Sequence, residues 1–228
     1  MPFMLQRRAA TTVLLFSLLT ACSSTGSRLQ GAPVQVDELV TWIEKVHIEA
    51  TRSRDAISEG YERLRDLASG NYRSGDVAQA YAQFVQAIDV AEQQSKRFHE
   101  VVEPMESSAK PVFEQWEQDV ATIGNERLRT RSQLRMAVTR ERYDALLESA
   151  TTSRDQLDAF VQSLRDHATF LAHDLNPGSL DEIQEDVKIV QTSAQKLDQE
   201  LDRCLAAARA YVDNSALPAL GTPAGPDR

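Results

Sequence analysis

Residues 77–116 read VAQAYAQFVQAIDVAEQQSKRFHEVVEPMESSAKPVFEQW. Taken in alternating steps of four and three, the string gives Val77, Tyr81, Phe84, Ile88, Ala91, Ser95, Phe98, Val102, Met105, Ala109, Val112 and Trp116. Eleven of these twelve positions are apolar, and most positions between them are polar or small. Such a heptad seam predicts a long helix that buries one stripe against other helices. Pro104 and Pro111 interrupt it, each removing a backbone donor and crowding the preceding turn. The seam keeps its register through both, so the spacing predicts one helix kinked at these prolines; the alternative is a break at Glu103 with a new helix opening on Pro104.

Upstream, a first seam runs Leu39, Ile43, Val46, Ala50, Ser53, Ile57, Gly60, Leu64, Leu67, predicting a helix from about Val34 to Leu67. Gly60 on that seam suggests close approach of a neighbour, opposite a large residue such as Phe84. Ser69–Gly75 reads as a short turn, and a short turn implies antiparallel neighbours. Asp76 is the expected N-cap of the second helix. Downstream, Gly124-Asn125 is the next punctuation. Beyond it a third seam appears at Tyr143, Leu146, Ala150, Ser153, Leu157, Phe160, Leu164, Ala168, Leu171 and Leu175, predicting a helix over about 126–173. The rival is one continuous helix of nearly 100 residues, about 145 Å long. A break gives a bundle and continuity gives a rod. Asn176-Pro177-Gly178 closes the third helix, and Ser179 with Glu182 reads as a capping box opening the fourth. The fourth seam is Leu180, Ile183, Val187, Val190, Ala194, Leu197, Leu201, Cys204, Ala208, Tyr211, Ser215. The predicted class is all-α, an antiparallel long-helix bundle or coiled coil of about four helices over residues 34–215. The tail, 216–228, is rich in Pro and Gly and is expected to be disordered.

The start of the chain sets an address. Arg7 and Arg8 precede an apolar run over 13–19, and small residues lead into Cys22. Residues 1–21 therefore read as an export signal, its uncharged run being too short for a spanning helix of roughly 20 residues. Leu19-Thr20-Ala21-Cys22 resembles the lipobox of bacterial lipoprotein signals. That resemblance implies cleavage before Cys22 and acylation of its thiol. With Ser23 following, it further implies the periplasmic face of the outer membrane. Residues 22–33 read as a flexible tether reaching at most about 35 Å.

Without Arg7 and Arg8, 23 basic residues stand against 34 acidic ones, a net charge of −11. A domain so acidic is a poor partner for nucleic acid. Cys204, on the fourth seam, reads as a buried thiol, with an intermolecular disulfide as the sharper alternative.

Several short stretches recur together in one family: Ser74-Gly-Asp76, Phe113-Glu-Gln-Trp-Glu117, Asn125-Glu-Arg-Leu-Arg129, Arg142-Tyr-Asp-Ala-Leu146 and Phe170-Leu-Ala-His-Asp-Leu-Asn176. With them the chain resembles, over roughly residues 36–215, an uncharacterised family of bacterial envelope proteins known as a domain of unknown function with coiled-coil character. The resemblance implies a helical fold and supplies no activity, cofactor or catalytic residue.

The residues themselves carry little chemistry. Glu44-x-x-His47 has the spacing of di-iron bundles, but His99, His167 and His173 lack the glutamate three residues before that a second ligand pair needs. There is no Cys-x-x-Cys, no His-Glu-x-x-His, no phosphate-cradling glycine loop and no nucleophile elbow. No cofactor, metal or catalytic residue is expected. One segment departs from the acidic background. Between Glu126 and Arg142, Arg127, Arg129, Arg131, Arg135, Arg140 and Arg142 stand against two acids, a net of +4. Arginine forks suit phosphate and carboxylate. The segment reads either as a docking patch for lipid phosphates, cell-wall carboxylates or an acidic partner, or as internal balance for Asp181, Glu182, Glu185 and Asp186, or for Glu114, Glu117 and Asp119. Seam aromatics read as core, and Trp42, one position off its seam, as an exposed contact residue. The expected function is a non-enzymatic, lipid-anchored periplasmic scaffold or adaptor, held to the membrane by acyl chains on Cys22 and meeting a protein partner or a second copy. The alternative is a bundle binding a lipid or small ligand where Ala50, Ser53, Gly60, Ala91, Ser95, Ala150 and Ser153 thin the core.

Overall fold

The structure, a computed structural model, describes residues 31–70 and 76–215. Five helices follow in order: α1 (Gly31–Ala68), α2 (Val77–Thr122), α3 (Glu126–His173), the short α4 (Pro177–Glu182) and α5 (Gln184–Ser215). No strand occurs among the described residues. The four long helices form an antiparallel bundle in which α1 and α3 each pack between α2 and α5. The expected signal segment 1–21, residues 71–75 of the expected turn, the tail 216–228 and most of the expected tether lie outside the described residues. Gly31–Pro33, expected in the tether, belongs to α1 instead. Proline is tolerated there because the first helical turn has no intrahelical use for its missing N–H.

The seams are the core. From Leu39 to Leu67 every seam position of α1 is buried, and so are nine of the twelve in α2, Phe84, Phe98, Val102 and Met105 among them. Helix α2 runs unbroken through Pro104 and Pro111. The carbonyls that lose their donors belong to Glu100 and Ser107, both exposed residues, so solvent can meet them. Burial of the seam on both sides then outweighs the two lost bonds.

The α2–α3 connection is a fold-back and not a continuous helix. Ile123 leaves the helical region at φ −70°, ψ 107°, and the Asn125 side chain caps α3 by accepting from the Leu128 amide at 3.1 Å. The molecule is therefore a bundle, and the 145 Å rod is excluded.

Two local expectations need correcting. The capping box does not form. Asn176 caps α4, its side-chain oxygen accepting from the amides of Gly178 at 2.8 Å and Ser179 at 3.1 Å. Pro177 takes the first helical position, where its fixed φ fits, and Ser179 is buried within α4. The chain bends again at Ile183, and Gln184 opens α5 while donating to the terminal carbonyl of α1, Ala68, at 2.5 Å. Gly60 does admit a close neighbour, but that neighbour is Leu164 of α3 and not Phe84. A Cβ at Gly60 would lie 2.7 Å from Leu164 Cδ1.

Candidate functional site

The antiparallel register fixes which features share an end of the bundle. Gln94 on α2 donates to Glu49 and Ser53 on α1, and Arg63 on α1 donates to Gln83 on α2. Nearer the start of α1, Glu38 and Trp42 face Pro104 and Pro111 across a shallow cleft. Continuing that register sets the first residues of α1 beside α2 near residue 115. At the other corner, Tyr143 of α3 meets Tyr211 of α5 edge-on at 6.4 Å, so α5 ends level with α3 near residue 139. The start of α1, the end of α5 and the α2–α3 turn therefore lie together. Past the ends of α1 and α5, α2 and α3 continue as a two-helix hairpin.

Phe113, Tyr143 and Trp116 hold the base of that hairpin. Phe113 and Tyr143 rings are 5.6 Å apart, the Tyr143 hydroxyl donates to the Met105 carbonyl at 3.3 Å, and Trp116 Nε1 donates to Ser132 Oγ at 3.2 Å. Burial against apolar neighbours pushes the Tyr143 phenol well above its ordinary range. Towards the tip the apolar seam fades, and the face of α3 turned to α2 carries the half-buried Arg129, Ser132, Met136 and Thr139.

The six arginines divide in two. Arg129 turns inward and reaches the Ile123 carbonyl at 3.5 Å, and the Arg140 guanidinium stacks 4.9 Å from the Phe113 ring centre. These two serve the hairpin. Arg127, Arg131 and Arg135 are exposed and Arg142 is half-buried on the opposite side of α3. None of the six has a carboxylate within 4.0 Å among the described residues. Of the acids expected to balance them, Glu117 is exposed on α2 about level with Arg131, yet none lies within 4.0 Å. Glu114 faces Lys110 at 3.8 Å and Asp119 accepts from Gln115 at 2.8 Å. Asp181, Glu182, Glu185 and Asp186 sit around α4 and the start of α5, at the opposite end of the bundle. Elsewhere arginines do pair across the bundle. Arg54 forks onto Asp198 at 2.6 and 3.1 Å and onto Asp202 at 2.6 Å, contacts that hold its charge firmly.

The sequence reading missed what lies between the outward arginines. Leu128, Leu134 and Val138 are 54%, 67% and 37% exposed. At 100° per residue they share one arc of about 120° with Arg127, Arg131, Arg135 and Arg142. The signal was present as apolar and basic residues at spacings of three and four. It was overlooked because the apolar members fall off the seam.

The other candidates resolve into packing. Cys204 is fully buried and free, and burial pushes its thiol up to about 12 against a weaker opposing bond from Ser149. An intermolecular disulfide has no access to it. His99 lies 2.8 Å from Asp158, which also accepts from Ser95. The His167 ring contacts the Ser163 carbonyl at 2.7 Å. The half-buried His47 has an Nδ1 without a hydrogen-bond partner, while Glu44, three residues earlier, is exposed. No group of three or more His, Cys, Asp or Glu residues is placed to hold a metal ion among the described residues. Trp42 is half-buried with Lys45 Nζ 3.7 Å above its ring. The small seam residues mark close helix contacts: Ala50, Ser53, Ala91, Ala150 and Ser153 are each 0% exposed. An apolar groove of about 330 Å³ runs between α1 and α5, lined by Ile48, Ala208 and Val212. No helix among the described residues is long and apolar enough to cross a membrane. Cys22 lies outside the described residues.

Compared with known proteins, the chain matches over residues 32–215 a family described as "Protein of unknown function (DUF2959)", and it belongs to that family. No curated protein and no solved structure matches it.

Proposed function

We propose that this DUF2959 protein is a non-enzymatic helical scaffold or adaptor of the bacterial cell envelope, held at the periplasmic face of the outer membrane by acyl chains on Cys22. The observation that carries the reading is the α2–α3 hairpin. It extends past the described ends of α1 and α5 and presents Arg127, Arg131 and Arg135 to solvent with no carboxylate within 4.0 Å among the described residues. An uncompensated basic surface on a chain of net charge −9 is an adhesive feature and not a catalytic one. The signal-like segment and the Leu-Thr-Ala-Cys motif supply the anchor. Several acyl chains, at about 0.8 kcal/mol per buried CH₂, make release negligible.

The test is fractionation of producing cells with mass analysis of the mature N-terminus. The expected result is membrane-bound protein beginning at an acylated Cys22, and a Cys22→Ser chain that is not processed and carries no acyl group. Cytoplasmic protein retaining residues 1–21 sinks the reading. The groove at Ile48, Ala208 and Val212 supports the second reading, a small apolar ligand. Native mass spectrometry of the purified chain decides it, because a tightly held ligand adds its mass.

A further inference from the structure

We propose that the solvent face of the α3 start docks on the anionic headgroups of the membrane that holds the N-terminus, so that the bundle is clamped at one end and not merely leashed. The proposal rests on the anchor reading for its geometry and adds the surface that meets the lipid.

Three observations point to a lipid surface. First, the stripe mixes charge and oil. Arg127, Arg131, Arg135 and Arg142 share one helical arc with the exposed Leu128, Leu134 and Val138. A membrane boundary presents phosphates over hydrocarbon, and a basic amphipathic face places guanidinium forks and aliphatic tips at matching depths. Second, the stripe lies at the correct end. From Cys22 to Gly31, where α1 begins, there are nine residues, a reach of about 30 Å at most. The stripe from Arg127 to Arg142 is about 22 Å long and starts at that same end, with Arg127 and Arg131 past the described ends of α1 and α5. Third, charge orients the rest. Asp181, Glu182, Glu185 and Asp186 cluster at the far end, where an anionic surface repels them. An acidic helical partner could also meet the arginines, but it gives no reason for their placement beside the tether.

The experiment uses residues 22–228 carrying Cys22→Ser, so that no acyl chain contributes; the described fold lies wholly within that span. The protein is sedimented with vesicles of phosphatidylcholine alone or mixed with phosphatidylglycerol. Binding is expected only to the mixed vesicles, and it should weaken as salt rises. Arg127→Gln, Arg131→Gln, Arg135→Gln and Arg142→Gln together should reduce it by more than about tenfold. Leu134→Ser with Val138→Ser should weaken it while leaving the salt dependence. Circular dichroism checks that each variant folds, and Arg131→Gln with Arg135→Gln replaces the quadruple variant if that one does not. Absence of binding to the mixed vesicles at low salt overturns the proposal. So does equal binding to neutral vesicles, or variants that bind like the parent. A dimer in solution that the arginine variant dissolves also overturns it, assigning the stripe to a second copy. An acylated Cys22 without vesicle binding sinks the clamp alone; vesicle binding with an unmodified Cys22 in cells sinks the anchor alone.

Discussion

Cys204 shows how one side chain reports on the core. It sits on the fourth seam, fully buried, and its thiol is pushed up to about 12 by loss of water. A folded-state value above the unfolded one means the unfolded chain releases the proton first. The stability this group contributes is therefore complete below about 9 and is lost as pH rises towards 12. Tyr143, shifted the same way from 10.0, adds to the loss at higher pH. Thermal melts should thus fall progressively above pH 9, each group contributing a slope of about 1.4 kcal/mol per pH unit while it titrates. Cys204→Ala should lower stability at neutral pH by removing packing, and should flatten the part of the slope between pH 9 and 10. A melt series whose slope there is unchanged by the substitution would place the thiol in contact with water.

Helix pairs reveal how far periodicity reaches. A 4/3 seam states which side of a helix is inside, and nearly all of that information held, because burial of an apolar stripe is a property of the helix alone. Which neighbour a seam residue meets depends on crossing geometry and register, which no single helix encodes. Gly60 illustrates the difference: its place on the seam predicted a close approach, yet Leu164 comes across the bundle from α3, where Phe84 was expected. The cap of α4 failed for a related reason. Asn176 and Ser179 are three residues apart and both are good caps, and Pro177 at the first helical position favours the earlier one. Gly60 also yields a prediction about the α1–α3 contact. Gly60→Val puts a branched side chain where even a Cβ lies 2.7 Å from Leu164 Cδ1. Overpacking of this kind costs about 1–3 kcal/mol, partly offset by better helix propensity. Chemical denaturation should show a lowered midpoint for Gly60→Val, and pairing it with Leu164→Ala should restore part of the loss. An additive double variant would mean that the two positions do not touch.

At the scale of the whole molecule, the choice between bundle and rod turned on three residues, Ile123-Gly124-Asn125. The sequence could not decide it, since a weak break and a fading seam suit either outcome. The fold-back wins through what it allows α3 to bury: Leu146, Leu157, Leu164 and Leu171 are all 0% exposed between α2 and α5. A continuous helix would leave that seam to water unless a second chain covered it. Scattering distinguishes the two without any ligand or partner. Helices α2 and α3 have 46 and 48 residues, so the longest is about 72 Å, half the roughly 145 Å of a fused helix. Small-angle scattering on residues 22–228 with Cys22→Ser, with light scattering for mass, should give one chain with a maximum dimension closer to the smaller figure. A particle of twice the mass and near the larger figure would mean that α2 and α3 open at Gly124 and exchange partners. The arginine stripe would then sit at the middle of a rod, still close to the start of α1, which stays paired with α2 near residue 115, so the membrane would meet the waist of an exchanged dimer and not one end of a bundle.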